Sequence, residues 1–247
     1  MTRHALREHD SDGPPFGTAP SFEFSGVTGG YGGSVVVRDL GGGVARGEVL
    51  CVLGRNGVGK STLMKLLFGF LPLLAGAVKS QGIDLVGLDP AERSRRGIAF
   101  GPQERIVFDD LTVRDNLTLM HPGRRLDHLE PYFHSFPRLG ERLGQRAGTL
   151  SGGERKLLSF ARALAEDKPV TLLDEPSEGV QQENVRRMAE LIAARKAAGG
   201  AFVIVEQNWT LVEAIADHYL VLDQGRAVLA GNRAEVTREA IVAHLKI

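Results

Sequence analysis

One stretch limits what this chain can fold into more than any other. Gly54-Arg55-Asn56-Gly57-Val58-Gly59-Lys60-Ser61-Thr62 follows an apolar run at 48–53 and opens a segment, 60–70, whose apolar residues recur at helical spacing. A strand, a glycine-rich turn and a helix in that order satisfy the pattern G-x-x-x-x-G-K-[ST]. Glycine lets the backbone wrap closely around phosphate oxygens. The N–H groups then point inward at a helix N-terminus, which favours anions. In that arrangement Gly54, Arg55, Asn56, Gly57, Val58 and Gly59 form a cradle, and Lys60 reaches the β- and γ-phosphates. The Ser61 hydroxyl is placed to ligate Mg²⁺, and Thr62 to touch the α-phosphate. A turn that merely started a helix would need neither the lysine nor the hydroxyl. The loop implies a bound nucleoside triphosphate but no particular reaction, because kinases, GTPases and transport ATPases share it.

The rest of the chain alternates in type. Residues 21–30 and 34–40 read as edge strands joined by a glycine-rich turn, and 77–86 as a short strand pair. Apolar runs at 48–53, 98–100, 170–173 and 202–205 suit buried parallel strands, and 219–222 and 227–230 read as further strands. Helical patterns cover 60–70, 152–165, 183–198, 209–216 and 239–246. Such alternation predicts an α/β fold with a mostly parallel sheet. Residues 113–141 break the alternation. Their helical pattern is interrupted by Pro122, Pro131 and Pro137, and predicts a small helical subdomain inserted at about 104–150. Residues 1–20 are charged, then rich in Gly, Pro and Ser, and read as a disordered leader before one domain at 21–247.

Composition excludes some classes of function. Lys+Arg and Asp+Glu are both 30, so there is no basic excess of the kind that bulk nucleic-acid binding leaves. The apolar run around 63–74 is broken by Lys65, Gly69 and Pro72, well short of a membrane span. The polar N-terminus shows no signal-peptide core, so a membrane link is expected through a partner. A single cysteine, Cys51, sits in an apolar run and reads as a buried thiol.

Two further motifs carry chemistry. Val170-Thr171-Leu172-Leu173 ends in Asp174-Glu175-Pro176, which places Asp174 at a strand's carboxyl end, where ligands bind in open α/β sheets. Asp174 is placed to hold Mg²⁺ through water, and Glu175 to accept a proton from an attacking water. Leu150-Ser151-Gly152-Gly153-Glu154 opens the 152–165 helix. Ser151 and Glu154 have capping-box spacing. Two glycines in the first turn nevertheless cost about 1 kcal/mol each in helix propensity, which a simple cap has no reason to incur. Bare N–H groups at a helix start suit a phosphate.

L-S-G-G-E resembles the signature motif of ABC ATPases, and the surrounding order matches that family. The phosphate loop and Asp174-Glu175 look like Walker A and Walker B. Gln103 in Gly101-Pro102-Gln103-Glu104-Arg105 matches the Q-loop, which adds it to Ser61 and Asp174 as a metal-site residue. Tyr31 matches the aromatic that stacks on adenine. The resemblance covers 22–247. It implies a RecA-like P-loop core with an antiparallel β subdomain and an inserted α-helical subdomain. It further implies that Ser151, Gly152 and Gly153 serve the ATP of a second ATPase subunit. The Gln103 loop and the insertion would contact membrane permease subunits at the cytoplasmic face of a bacterial membrane, with a solute-binding protein as an indirect partner.

Departures narrow the resemblance. The family usually has a histidine beside the γ-phosphate, where this chain has Gln207 in Val205-Glu206-Gln207-Asn208. Gln181 stands where Asp is common. Gln207 donates a hydrogen bond but carries no charge, which implies a slower half-site. V-E-Q-N resembles one of two unlike ATPase subunits of importers for branched-chain amino acids and related amides and urea. Phe108-Asp109-Asp110-Leu111-Thr112-Val113-Arg114-Asp115-Asn116-Leu117 resembles F-x-x-L-T-V-x-x-N-L of the same group. P-Q-x-R at 102–105 and E-G-V-Q at 178–181 lean toward the urea type, and a heterodimer is implied. An exporter ATPase, a soluble ABC ATPase and a nucleotide-binding scaffold without turnover remain as alternatives.

Overall fold

The computed structural model describes residues 20–104 and 106–245 of the 247-residue chain. The leader expected at 1–20 lies outside them apart from Pro20, as does Arg105 of the urea-type pattern.

Strands β1 (Phe22–Tyr31) and β2 (Ser34–Val44) form a hairpin, and β3 (Val49–Gly54) leads through the glycine loop into α1 (Lys60–Phe68). Strands β4 (Ala75–Ser80) and β5 (Ile83–Asp84) are followed by α2 (Pro90–Arg95) and β6 (Ile98–Gly101). The short helices α3 (Val113–Thr118), α4 (Glu130–Ser135) and α5 (Pro137–Glu141) precede α6 (Gly152–Ala165) and β7 (Val170–Asp174). The chain continues through α7 (Gln182–Ala197), β8 (Ala201–Val205), α8 (Trp209–Ile215), β9 (His218–Asp223), β10 (Arg226–Asn232) and α9 (Arg238–Leu245).

Two sheets result. A four-stranded antiparallel sheet has the order β2-β1-β4-β5. A six-stranded sheet has the order β10-β9-β3-β8-β7-β6 and is parallel except for β10. The parallel strands are buried on both faces, as their unbroken apolar runs predict. Val49, Cys51 and Leu53 of β3 join a core with α6, α7 and α8, whereas Leu50 and Val52 join a second core with α1 and the antiparallel sheet. Helix α1 is buried almost all round, since it packs against both sheets.

Three expectations need correction. β1 is not an edge strand, because β4 pairs with its free side after the intervening α1. That partner is distant in sequence and leaves no local signal. β2 runs on through Gly41, Gly42 and Gly43 to Val44, since pairing with β1 outweighs the poor strand propensity of glycine. The helical pattern at 113–141 resolves into short helices and single turns, with Pro131 and Pro137 each opening a new helix. Helix α2 was not anticipated. It has a clear local signature in Asp89, which caps it in a capping box with Glu92, and in Pro90 in its first turn.

The end of α1 depends on one arginine. Gly69 terminates the helix in the left-handed conformation at φ 89°. Arg93, 2% exposed, donates through Nη1 to the carbonyls of Leu66 (3.0 Å) and Leu67 (2.7 Å) and through Nε to that of Leu88 (3.1 Å). Arg93→Met keeps the buried stem but takes the guanidinium donors from the Leu67 and Leu88 carbonyls and leaves Leu66 with the Gly69 N–H alone. It is expected to cost about 2–4 kcal/mol, read as a lower urea midpoint at an unchanged slope.

Candidate nucleotide site

Parallel pairing brings the carboxyl ends of β3, β8, β7 and β6 to one edge of the sheet, with Val52 opposite Val205, Val205 opposite Asp174 and Leu173 opposite Gly101. The phosphate loop, Gln207, Asp174-Glu175 and Gln103 are therefore delivered to the same place by four adjacent strands.

The loop needs its glycines for two different reasons. At Gly54 (φ 153°) a Cβ would lie 2.6 Å from the Leu222 carbonyl oxygen and 2.8 Å from Val58 Cγ2. At Gly57 there is open space, but φ is 81°, a left-handed conformation that side chains resist. Gly59 combines a left-handed φ of 108° with a Cβ position 2.8 Å from Val37 Cγ1. Arg55 and Asn56 are exposed and Thr62 is buried. Lys60 curls back over the loop, and its ammonium donates to the carbonyls of Gly54 (2.8 Å) and Arg55 (2.9 Å) and lies 3.6 Å from Glu175 Oε1. Burial draws its pKa down, opposed by Glu175. The same ammonium is within the loop it would share with a phosphate chain.

Ser61 Oγ lies 3.2 Å from both Gln103 Oε1 and Asp174 Oδ1, with one hydroxyl proton to share between them. These three oxygen donors, with one carboxylate among them, fit Mg²⁺, which takes few protein oxygens and completes its shell with phosphate and water. Bound there, the ion would neutralise charge on the phosphate oxygens. Burial pushes the Asp174 carboxyl up to about 6, the Ser61 hydrogen bond opposing and the neighbouring Glu175 charge adding to the rise.

Glu175 is clamped from several sides. Gln207 Nε2 donates to Oε1 (2.7 Å) and Gln103 Nε2 to Oε2 (3.0 Å). Its backbone is left-handed (φ 48°), a strained state for a side chain of this size. The N–H donates to the Val205 carbonyl (2.9 Å), and the carbonyl accepts from Lys156 Nζ (3.1 Å), which also reaches the Gln103 carbonyl (3.3 Å). Gln207 Nε2 contacts Asn56 Oδ1 as well, at 2.8 Å, so the residue in the histidine's place bridges the phosphate loop to Glu175.

The other predicted residues lie outside this cluster. Tyr31, at the end of β1, is half exposed, and its hydroxyl accepts from Lys65 Nζ at 3.2 Å. Ser151 caps α6, completing the capping box with Glu154. No hydrogen bond joins Ser151, Gly152 or Gly153 to the phosphate loop among the described residues. A Cβ at Gly152 would meet no other part of the chain within 4 Å, so intrachain packing does not call for glycine there. Gly153 lies against the Gly179 carbonyl, and an open groove of about 530 Å³ runs between this helix start, Gln103 and Glu178. Sequence reasoning missed Lys156 and Glu206. Lys156 follows the glycines by one helical turn, the only hint that it faces the same loops.

The family model for ABC transporters matches residues 37–178, more than half of the chain. The chain belongs to the ABC transporter family. It is 37% identical over 203 residues to the high-affinity branched-chain amino acid transport ATP-binding protein BraG of Pseudomonas aeruginosa, covering 81% of this chain and 87% of that one. It is 30% identical over 243 residues to the Nod factor export ATP-binding protein I of Mesorhizobium japonicum, covering 96% and 71%. A solved ATP-binding subunit of an ABC transporter superposes with a TM-score of 0.78 at 27% identity, covering 88% of this chain and 92% of that one. The chain is thus the ATP-hydrolysing subunit of an ABC transporter, with the ABC ATPase fold. The F-x-x-L-T-V-x-x-N-L segment at 108–117 has a structural reason. Thr112 caps α3, and fully buried Asn116 closes the preceding turn through Phe108 N (2.9 Å), Phe108 O and Thr112 O (both 3.0 Å). Gln181, the other departure, sits at the N-cap of α7 without a side-chain cap bond.

Asp174 carries a stability signature. Its folded pKa lies above the ordinary aspartate value, at about 6, so ionisation is disfavoured in the fold. The penalty develops as pH rises from about 4 to about 6 and is complete above that, amounting to about 2–3 kcal/mol. Without metal or nucleotide, Asp174→Asn should therefore be more stable than the parent at pH 8, and the advantage should disappear at pH 4. Thermal melts at both pH values in a chelator check this.

Proposed function

We propose that this chain is one of two unlike ATPase subunits of an ABC importer for branched-chain amino acids or for related small amides such as urea. The observation that carries the reading is the placement of Gln207. The V-E-Q-N segment is not a remote marker but contacts Glu175 and the phosphate loop directly. The 37% identical relative, a branched-chain amino acid transport ATP-binding protein, supports the amino-acid class. E-G-V-Q at 178–181 and P-Q-x-R at 102–105 favour the amide side of that class.

In this reading ATP lies along the Gly54–Thr62 loop with its adenine on Tyr31, and Mg²⁺ is held by Ser61, Asp174 and Gln103. Water attacks the γ-phosphorus, the bond to the β–γ bridging oxygen breaks, and Glu175 takes the water's proton. Gln103 and Gln207 hold the two Glu175 oxygens in place for that transfer. Ser151, Gly152 and Gly153 present bare helix-start N–H groups to the nucleotide of the second subunit. The assembly sits peripherally on the cytoplasmic face of the membrane, through permease subunits. Among the described residues no helix is long and apolar enough to cross a membrane itself.

An exporter is the second reading, supported by the Nod factor export relative, which matches 96% of this chain. Co-purification with permeases, a second ATPase and a solute-binding protein, followed by ATP-driven uptake of leucine or urea into proteoliposomes, tests the import reading. A tight homodimer with full turnover, or efflux, would overturn it.

Variants separate binding from chemistry. Glu175→Gln is expected to hold ATP within about 3-fold of the parent affinity while kcat falls by about 10²-fold or more. Lys60→Ala should instead weaken ATP binding itself, by about 10-fold or more. Unchanged turnover in the first variant would remove Glu175 from the role of base.

A further inference from the structure

Glu206 is a buried carboxylate, 2% exposed, one residue before Gln207. A buried charge is tolerable only when hydrogen-bonded, and this one is satisfied by four donors from two different loops. Oε1 accepts from the Ser177 N–H (3.1 Å) and from the Ser177 hydroxyl. Oε2 accepts from the Gln207 N–H (2.6 Å) and the Asn208 N–H (3.0 Å). One oxygen therefore serves the exit of β7 and the other the exit of β8. A simple cap would serve one.

The two loops lead to different places. Behind Oε2, Gln207 reaches Glu175 and Asn56. Behind Oε1, the Ser177 carbonyl accepts the Val180 N–H (3.0 Å) and closes the turn that carries Gly179. The Gly179 carbonyl lies against Gly153, at 3.3 Å from where a Cβ would stand. The chain's own hydrolytic residues and its signature helix are thus joined through a single carboxylate.

We propose that Glu206 is a positioning residue for ATP hydrolysis. It sets Gln207 on Glu175 and, with the same group, sets the 177–180 turn against the start of α6. It touches no reacting atom.

Glu206→Gln tests this. The substitution keeps the shape but replaces one acceptor oxygen with an NH₂ group that faces N–H donors. In the full chain, assembled in its transporter complex, kcat is expected to fall by about 10-fold or more with the ATP Kd within about 3-fold. Because part of the effect runs through Gln207, adding Glu206→Gln to Gln207→Ala should lower kcat by clearly less than the about 10-fold it causes alone. Unchanged kcat in Glu206→Gln overturns the proposal. So does a parallel loss of kcat, ATP affinity and melting temperature, which marks a purely structural role, and so does a fully multiplicative double variant. If Glu206→Gln does not fold, Ser177→Ala, which removes one donor and leaves the carboxylate, is expected to lower kcat by about 2–5-fold at unchanged Kd. Unchanged kcat there overturns the proposal equally.

Discussion

β3 is covered by apolar side chains on both faces and paired in parallel on both edges, by β8 and β9. A strand held this way has no freedom to slide, because a one-residue slip would exchange the residues facing its two cores. The position of Gly54 follows, and with it the loop and the start of α1. The parallel sense of β6, β7 and β8 then places their carboxyl ends beside it. Gln103, Asp174, Glu175, Glu206 and Gln207 come from three further strands, yet need no long-range search of their own to meet the loop.

Charge is the cost of this convergence. Asp174, Glu175 and Glu206 are all nearly inaccessible to water, and each is handled differently. Glu206 is satisfied by N–H and O–H donors alone. Glu175 has Lys60 nearby and an amide on each oxygen. Among the described residues Asp174 has only the Ser61 hydroxyl as a hydrogen-bond donor, and is pushed up to about 6. A polyphosphate arriving beside these carboxylates meets repulsion that one loop lysine does not balance. A divalent cation at Asp174 relieves the carboxylate and the phosphate together, which gives a physical reason for the acid to stay where it costs stability.

The parts of the molecule legible in the sequence are those whose signal is local. The glycine loop, the apolar strand before Asp174 and the capping box at Ser151 each state their geometry within about ten residues. The α/β alternation was readable for the same reason, since buried parallel strands are uniformly apolar. What was not readable depends on partners far along the chain. β1 becomes an inner strand only because β4 returns to it across α1. Lys156 matters because the Gln103 and Glu175 carbonyls lie over its helix face. Glu206 looked like a family marker beside Gln207, and only the packing of two loops shows that it serves Ser177 as well. Helix α2 is different: Asp89, Pro90 and Glu92 declared it, and the local rule was available.

Gln207 and Gly152 together give the site its direction. Gln207 looks inward, bridging Asn56 and Glu175 through an amide that carries no titratable proton, where a histidine would titrate. In the proposed mechanism its contribution is geometric, with no positive charge added as the γ-phosphate leaves. Gly152 looks outward, with space around it that the chain does not use. A half-site that orients its base well but adds no charge gains from a partner that closes over its ATP. A helix start with bare N–H groups in turn gains from a nucleotide it does not itself hold. Between the two lies the short path Gln207, Glu206, Ser177, Gly179, Gly153. In a pair of unlike subunits, that path would let nucleotide held on one side bias the surface offered to the other.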